Sequence, residues 1–161
     1  MQKVIVNSTP MIILSKIGML EILHKLFGEI TIPQAVYDEI TFKSDTACRF
    51  VRENNWIKVA RIEPDADKSM YKSKLHDGEV EVMILAQETT ADVLIIIDDN
   101  TAKKTAKYLG LTVTGTLGIL VMAKNKGFVD SMKTTIERMK HNGFFVSKPV
   151  EEMVLKAVGE I

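Results

Sequence analysis

Short aliphatic runs alternate along this chain with longer segments of helical periodicity. The runs at 4–6, 30–32, 56–59 and 93–97 have the length of buried strands, and 111–113 is a shorter one. Helical patterns follow them, and one of these patterns, which begins after Asp77 and Gly78, is apolar almost all round. Strands that alternate with helices predict an α/β protein, a three-layer α/β/α sandwich with a mostly parallel central sheet.

The run at 93–97 is the centre of this arrangement. It is unbroken, β-branched and aliphatic, so it predicts a strand covered by helices on both faces. Asp98, Asp99 and Asn100 follow it at once, and a helical pattern then runs as far as Gly110. Ligands of open α/β sheets bind beyond the carboxyl ends of the strands, which makes this polar sequence a candidate site. One of its three residues is equally well explained as the cap of the helix.

Turn and cap residues mark where other helices begin. Thr9 and Pro10 predict the N-cap and the first residue of one helix, and Asp130 predicts the cap of another. Ser147 and Pro149 predict the start of the last helix.

The order of these elements predicts one domain that spans residues 1–161. The polar stretch at 60–77 predicts a connection with one short helix, and C-terminal helices at about 130–158 are expected to pack on the domain. No internal repeat or low-complexity stretch divides the chain.

Charge and cysteine content narrow the function classes. The chain has 21 Lys+Arg and 21 Asp+Glu, so it has no net charge, and any surface for nucleic acid must be local. The single cysteine, Cys48, excludes an internal disulfide and a cysteine-rich zinc site and fits a reducing cytoplasmic location. We expect neither a signal peptide nor a membrane-spanning segment, because no apolar run is long enough.

Four positions lie near the ends of the predicted strands. Asn7 follows the first strand, Glu39 lies two turns into the helix after the second, Glu79 lies in the first turn of the buried helix, and Asp98 follows the fourth strand. Right-handed crossovers place these positions at one edge of a parallel sheet. Mg²⁺ and Mn²⁺ prefer oxygen ligands and supply what phosphodiester hydrolysis needs. The set predicts a divalent-metal site with Glu39, Glu79, Asp98 and Asp99 as ligands.

Each acid also has a purely structural explanation. Glu79 would complement the dipole of its helix, and Glu39 would be an ordinary exposed residue. Glu81 lies on another face of the same helix and is expected to face solvent or a lysine. Lys103, Lys104 and Lys107 form either a basic flank for a phosphate backbone or a solvated helix face.

Five segments of the chain resemble, in order, the motif series of PIN domains. The most similar branch consists of prokaryotic, predicted nucleic-acid-binding and toxin-like PIN proteins, and the resemblance covers nearly the whole chain, from about 4 to 159. The segments are 7–12, 32–39, 78–86, 97–103 and 113–118.

The resemblance implies an α/β/α sandwich with a Mg²⁺- or Mn²⁺-dependent ribonuclease site, often in a homodimer. Many similar proteins are toxins of toxin–antitoxin pairs, so RNA and an antitoxin protein are the implied partners. Carried over by motif, the catalytic positions are Asn7, Glu39, Glu79 and Asp98.

Position 7 is where the chain departs from the nuclease pattern, which has aspartate there. Ser8 and Thr116 are implied to help place water or phosphate, and Asn100 and Lys103 complete the candidates for positioning substrate or water. Asn7 retains an acceptor oxygen without the charge, or it only caps the first helix. A PIN-like module that binds RNA or a protein without cutting therefore remains the alternative function.

Overall fold

The computed structural model describes residues 2–72 and 74–161, which form a three-layer α/β/α structure around a five-stranded sheet. The strands lie in the order β3-β2-β1-β4-β5 and every pairing is parallel, which confirms the predicted fold class. Each strand lies within one residue of its predicted bounds at either end. The strands are β1 (Lys3–Val6), β2 (Ile30–Pro33), β3 (Ile57–Ala60), β4 (Val93–Ile96) and β5 (Thr112–Thr114).

The pairing of β1 with β4 forms the middle of the sheet. Its register runs from Lys3 opposite Val93 to Val6 opposite Ile96. Ile95 at the centre of β4 is fully buried. Strands buried on both faces are typical of parallel sheets between helical layers, so the unbroken aliphatic runs are explained by their position.

Helices connect the strands and form the outer layers. α3 packs against α6, α1 and α4, and α9 and α10 pack against α8 and each other. The helices are α1 (Ser8–Lys16), α2 (Glu21–Phe27), α3 (Gln34–Lys43), α4 (Asp45–Glu53), α5 (Ser69–Lys72), α6 (Asp77–Glu88), α7 (Asn100–Tyr108), α8 (Thr116–Asn125), α9 (Met132–His141) and α10 (Lys148–Ala157).

The predicted start of the first helix is wrong by two residues. α1 begins at Ser8 with Asn7 at the N-cap position, so Thr9 is the second helical residue and Pro10 the third. A proline is tolerated there because the N–H groups of the first turn have no partner within the helix. The chain therefore turns from β1 into α1 directly after Asn7.

The cap of α9 is also different from the prediction. Ser131 is the N-cap, and its Oγ accepts a hydrogen bond from the Thr134 N–H at 3.1 Å, whereas Asp130 precedes the helix. A serine hydroxyl serves as well as a carboxylate in this role, so the residue nearer the helix takes it. The predicted start of α10 at Ser147 is confirmed.

The polar connection before α6 contains α5, which confirms the predicted short helix. α6 itself is buried from Gly78 through Ala86, as its apolar pattern predicts. It has 12 residues, and no helix in the described part of the chain is long and apolar enough to cross a membrane.

Candidate active site at the carboxyl edge of the sheet

Three neighbouring strands end at the same level of the sheet. Val6 in β1 lies opposite Ile96 in β4, and Ile96 lies opposite Thr114 in β5. The Asn7 N–H donates to the Ile96 carbonyl at 2.9 Å, and the Ile97 N–H donates to the Thr114 carbonyl at 2.9 Å. These bonds extend the ladder beyond the strands, so the residues that leave them emerge side by side.

Asp98 is held in place by the first residue of α8. Its Oδ1 accepts a hydrogen bond from the Thr116 N–H at 2.8 Å, and its Oδ2 accepts one from the Thr116 hydroxyl at 2.6 Å. Thr116 is fully buried. The threonine hydroxyl is thus engaged with a carboxylate, and its direct role here is to position Asp98.

Gly115 leaves room for the side chains of Asp98 and Lys103. A Cβ at this position would lie 2.8 Å from Asp98 Oδ1 and 2.9 Å from Lys103 Nζ. Any side chain here would have to displace one of them. The glycine therefore allows a carboxylate and an ammonium group to approach the same piece of backbone.

Asp99 is the residue that caps α7. Its Oδ2 accepts a hydrogen bond from the Ala102 N–H at 2.9 Å, which confirms the capping explanation for one of the three polar residues after β4. Asp99 and Asn100 are both exposed. A capping carboxylate retains lone pairs for a further partner.

Glu79 is a buried carboxylate at the start of α6. It is 6% exposed, and its Oε1 accepts a hydrogen bond from the His76 N–H at 2.9 Å. Burial raises the pKa of Glu79 above its usual range, and repulsion from Asp99 and Glu39 acts in the same direction, while the hydrogen bond from His76 opposes the shift. The carboxylates of Asp99 and Glu39 thus both act on Glu79.

Glu39 reaches this group from α3. Its Oε2 accepts a hydrogen bond from the Ser8 hydroxyl at 2.9 Å and lies 3.5 Å from Lys43 Nζ. A Cβ on Gly78 would overlap Glu39 Oε1, so glycine directly before Glu79 makes room for the second carboxylate. Ser8, a candidate for placing water or phosphate, orients Glu39 in this arrangement.

Asn7 is buried, with 5% of its surface exposed. It occupies the N-cap position of α1, yet its side chain makes no capping bond, so the explanation that it only caps the helix is wrong. Its Oδ1 accepts no hydrogen bond from any residue that the structure describes. A buried acceptor left unpaired costs about 1–3 kcal/mol, which favours a polar or cationic partner at this oxygen.

The expectation that Glu81 faces solvent or a lysine is confirmed by its second alternative. Glu81 is 8% exposed and therefore does not face solvent, but it does pair with a lysine, Lys68, at 3.3 Å. It also accepts a hydrogen bond from the Ala35 N–H at 3.1 Å, in the first turn of α3. This contact ties α6 to the helix that bears Glu39.

The candidate ligands do not form a ready cluster of acids. Within residues 2–72 and 74–161, no three His, Cys, Asp or Glu side chains are grouped so that they could hold a metal ion together. Both oxygens of Asp98 bind Thr116, and Asp99 caps α7. Mg²⁺ often takes one or two carboxylates and completes its shell with water. The unpaired carbonyl of Asn7 and the repelling acids fit such an ion.

Sequence reasoning missed Gly78, Gly115 and Glu81 as parts of this site. A glycine in the first turn of a helix costs about 1 kcal/mol relative to alanine, and that cost was the available signal for Gly78. The contact from Glu81 to Ala35 spans 46 positions and leaves no local pattern.

A comparison with models of known families gives a match that covers nearly the whole chain. Residues 3–160 match the model of the family DUF3368, which is described as a PIN domain. Comparison with curated proteins gives no match.

Because Glu79 is buried, Glu79→Gln should change the free energy of unfolding by an amount that depends on pH. Because its pKa is raised in the folded protein, Glu79 contributes stability that is fully present below the ordinary pKa of 4.5 and is lost as pH rises through the folded value. Glutamine keeps an acceptor for His76 without the charge. Urea unfolding in EDTA should therefore show a stabilised variant at about pH 7.5 and a smaller gain at about pH 4. An equal gain from Glu152→Gln, at an exposed position on α10, would contradict burial as the cause.

Proposed function

Because this chain belongs to the PIN-domain family and has its nuclease-like fold, we propose that it is a metal-dependent ribonuclease that hydrolyses RNA phosphodiester bonds. The observation that supports this most strongly is the buried, unpaired Asn7 Oδ1 at the edge where Asp98 also emerges. A nuclease of this kind needs oxygen donors at one place, and this edge supplies them.

The proposed ion is Mg²⁺ or Mn²⁺, held by Asn7 Oδ1 together with carboxylates drawn from Glu39, Glu79, Asp98 and Asp99. Such an ion supplies an activated water and charge stabilisation at phosphorus. Burial raises the pKa of Glu79, and repulsion from Asp99 and Glu39 adds to the shift; a bound cation would relieve that repulsion.

The remaining residues of the site fix the donors. The Ser8 hydroxyl orients Glu39, and the Thr116 hydroxyl and N–H orient Asp98. Lys103, beside Asp98 and Gly115, supplies a positive charge for a phosphate.

A non-cutting module that binds RNA or a protein is the second candidate function. It is favoured by the neutral side chain at position 7 and by the lack, among the described residues, of three acids grouped for a metal. Cleavage that depends on Asp98 separates the two candidates.

The wider biological setting belongs to the same proposal. We infer a cytoplasmic protein that acts as a homodimer and as the toxin of a toxin–antitoxin pair. The family and the resemblance of the five motif segments support this setting.

Asp98→Asn should abolish Mn²⁺-dependent cleavage of a labelled single-stranded RNA. The amide keeps an acceptor for the Thr116 N–H, so the far-UV circular dichroism spectrum should not change, while loss of the charge removes a metal donor. Asp38→Asn is the matched control, because Asp38 is an exposed aspartate on α3 and its loss should leave the rate unchanged. Cleavage that survives in purified Asp98→Asn protein would place the activity in another site or another protein.

Asn7→Asp should tighten Mn²⁺ binding, because it adds a negative charge at the buried position of the unpaired oxygen. Changes around metal ligands alter affinity by about 10–100-fold, and a gain of that size is expected in titration calorimetry. The metal-free variant should be less stable, since the charge is buried. Asn100→Asp adds the same charge at an exposed position of the same edge. Equal gains from both variants, or none from Asn7→Asp, would place Asn7 outside the metal site.

A further inference from the structure

A cleft of about 520 Å³ opens beside Asp98. Its walls come from α7, from the end of β5 with the start of α8, and from the segment that leads into α10. Lys103 and Lys107 line the α7 wall, and Phe144 and Phe145 line the wall formed by the segment before α10. The cleft thus joins the candidate active site to a surface that is both basic and aromatic.

Phe145 is held out of the core by its neighbours. Its side chain is 85% exposed, while Val146 is buried and Phe144 packs against the core. The Phe144 N–H donates to the Met139 carbonyl at 3.0 Å, and Ser147 caps α10. The backbone on both sides of Phe145 is therefore held in place, so the position from which the ring enters the cleft is set by its neighbours.

Lys103 and Lys107 contribute two positive charges to the cleft. Among the residues that the structure describes, neither Lys103 nor Lys107 forms a salt bridge. Lys103 is half-buried, and its Nζ lies against Gly115, inside the cleft rather than in open solvent. Ammonium groups spaced along a groove suit a polyanion.

An exposed phenylalanine by itself needs no explanation. Phe42 is 91% exposed and lies outside the cleft lining. Phe145 differs because its ring shares a cleft with two lysines and leads to Asp98. Aromatic rings and basic groups in one groove are the combination that binds unpaired nucleotides.

We propose that this cleft binds single-stranded RNA and positions it next to Asp98. The Phe145 ring stacks on one base of the RNA. Lys103 and Lys107, on the α7 wall, contact its phosphates. The base must offer a free face, which a paired and stacked duplex does not. This proposal rests on the proposed function, because it identifies the substrate of the same site.

Fluorescence anisotropy in EDTA tests binding without cleavage, with a labelled oligouridylate of about ten nucleotides as the probe. Phe145→Ala should bind it about 5- to 150-fold more weakly, the range for one stacked base. Phe145→Trp should bind at least as tightly as the wild type. Phe42→Ala is the matched control and should leave the affinity unchanged. Thermal unfolding of each variant checks that the fold is intact.

Two further measurements separate stacking from charge. The penalty from Phe145→Ala should disappear with an abasic oligonucleotide of equal length, which has phosphates but no bases. The double variant Lys103→Gln/Lys107→Gln should reduce the slope of log affinity against log salt by about 1.4, or about 0.7 for each lost phosphate contact.

The proposal is overturned if the wild type does not bind the probe, or if Phe145→Ala binds as well as Phe42→Ala. An equal penalty with the abasic probe also overturns it. If Phe145→Ala changes the oligomeric state measured by sedimentation while RNA binding is unaltered, the cleft is a contact between two copies of the chain instead. Weakened binding in Phe145→Ala with cleavage retained in Asp98→Asn would support the cleft and contradict the nuclease site. If Phe145→Ala binds RNA as tightly as the wild type and cleavage is lost in Asp98→Asn, the nuclease site is supported and the cleft is contradicted.

Discussion

The parallel pairing of β1 with β4 is the constraint on which the rest of this structure depends. Val6 lies opposite Ile96, and the ladder continues through the hydrogen bond from the Asn7 N–H to the Ile96 carbonyl. A slip of one residue would turn the side chains of a strand to its other face, and Asn7 and Asp98 would no longer emerge together. The apolar side chains of both strands, buried in the core, oppose such a slip.

Each of three acids near the carboxyl edge of the sheet accepts a hydrogen bond from a separate residue. Glu39 has the Ser8 hydroxyl, Glu79 has the His76 N–H, and Asp98 has Thr116. The hydrogen bond from the His76 N–H opposes the effect of burial and repulsion on the pKa of Glu79 but does not cancel it. Asn7 Oδ1, by contrast, accepts no hydrogen bond from any residue that the structure describes.

The sequence was sufficient to predict the fold because each element has a local signal. The aliphatic run that contains β4 and the apolar pattern of α6 both depend on residues near in the chain, and the structure confirms them. Helix starts were less certain. Asn7, Thr9 and Pro10 are all acceptable near the beginning of a helix, and the strand that precedes them decides which one is the cap.

The candidate site could be predicted only in part, since its contacts join distant positions. The acids were identifiable from their places after the strands, but the bond from Thr116 to Asp98 spans 18 positions and the one from Ser8 to Glu39 spans 31. The closeness of Gly78 to Glu39 depends on how α3 packs against α6. Such packing between distant helices leaves no periodic pattern in the sequence. The anomalous map of a crystal soaked in Mn²⁺ tests the central claim most directly. The account predicts a Mn²⁺ peak within bonding distance of Asn7 Oδ1 and of at least one of the acids on this edge. A peak elsewhere, or none at saturating Mn²⁺, would contradict it.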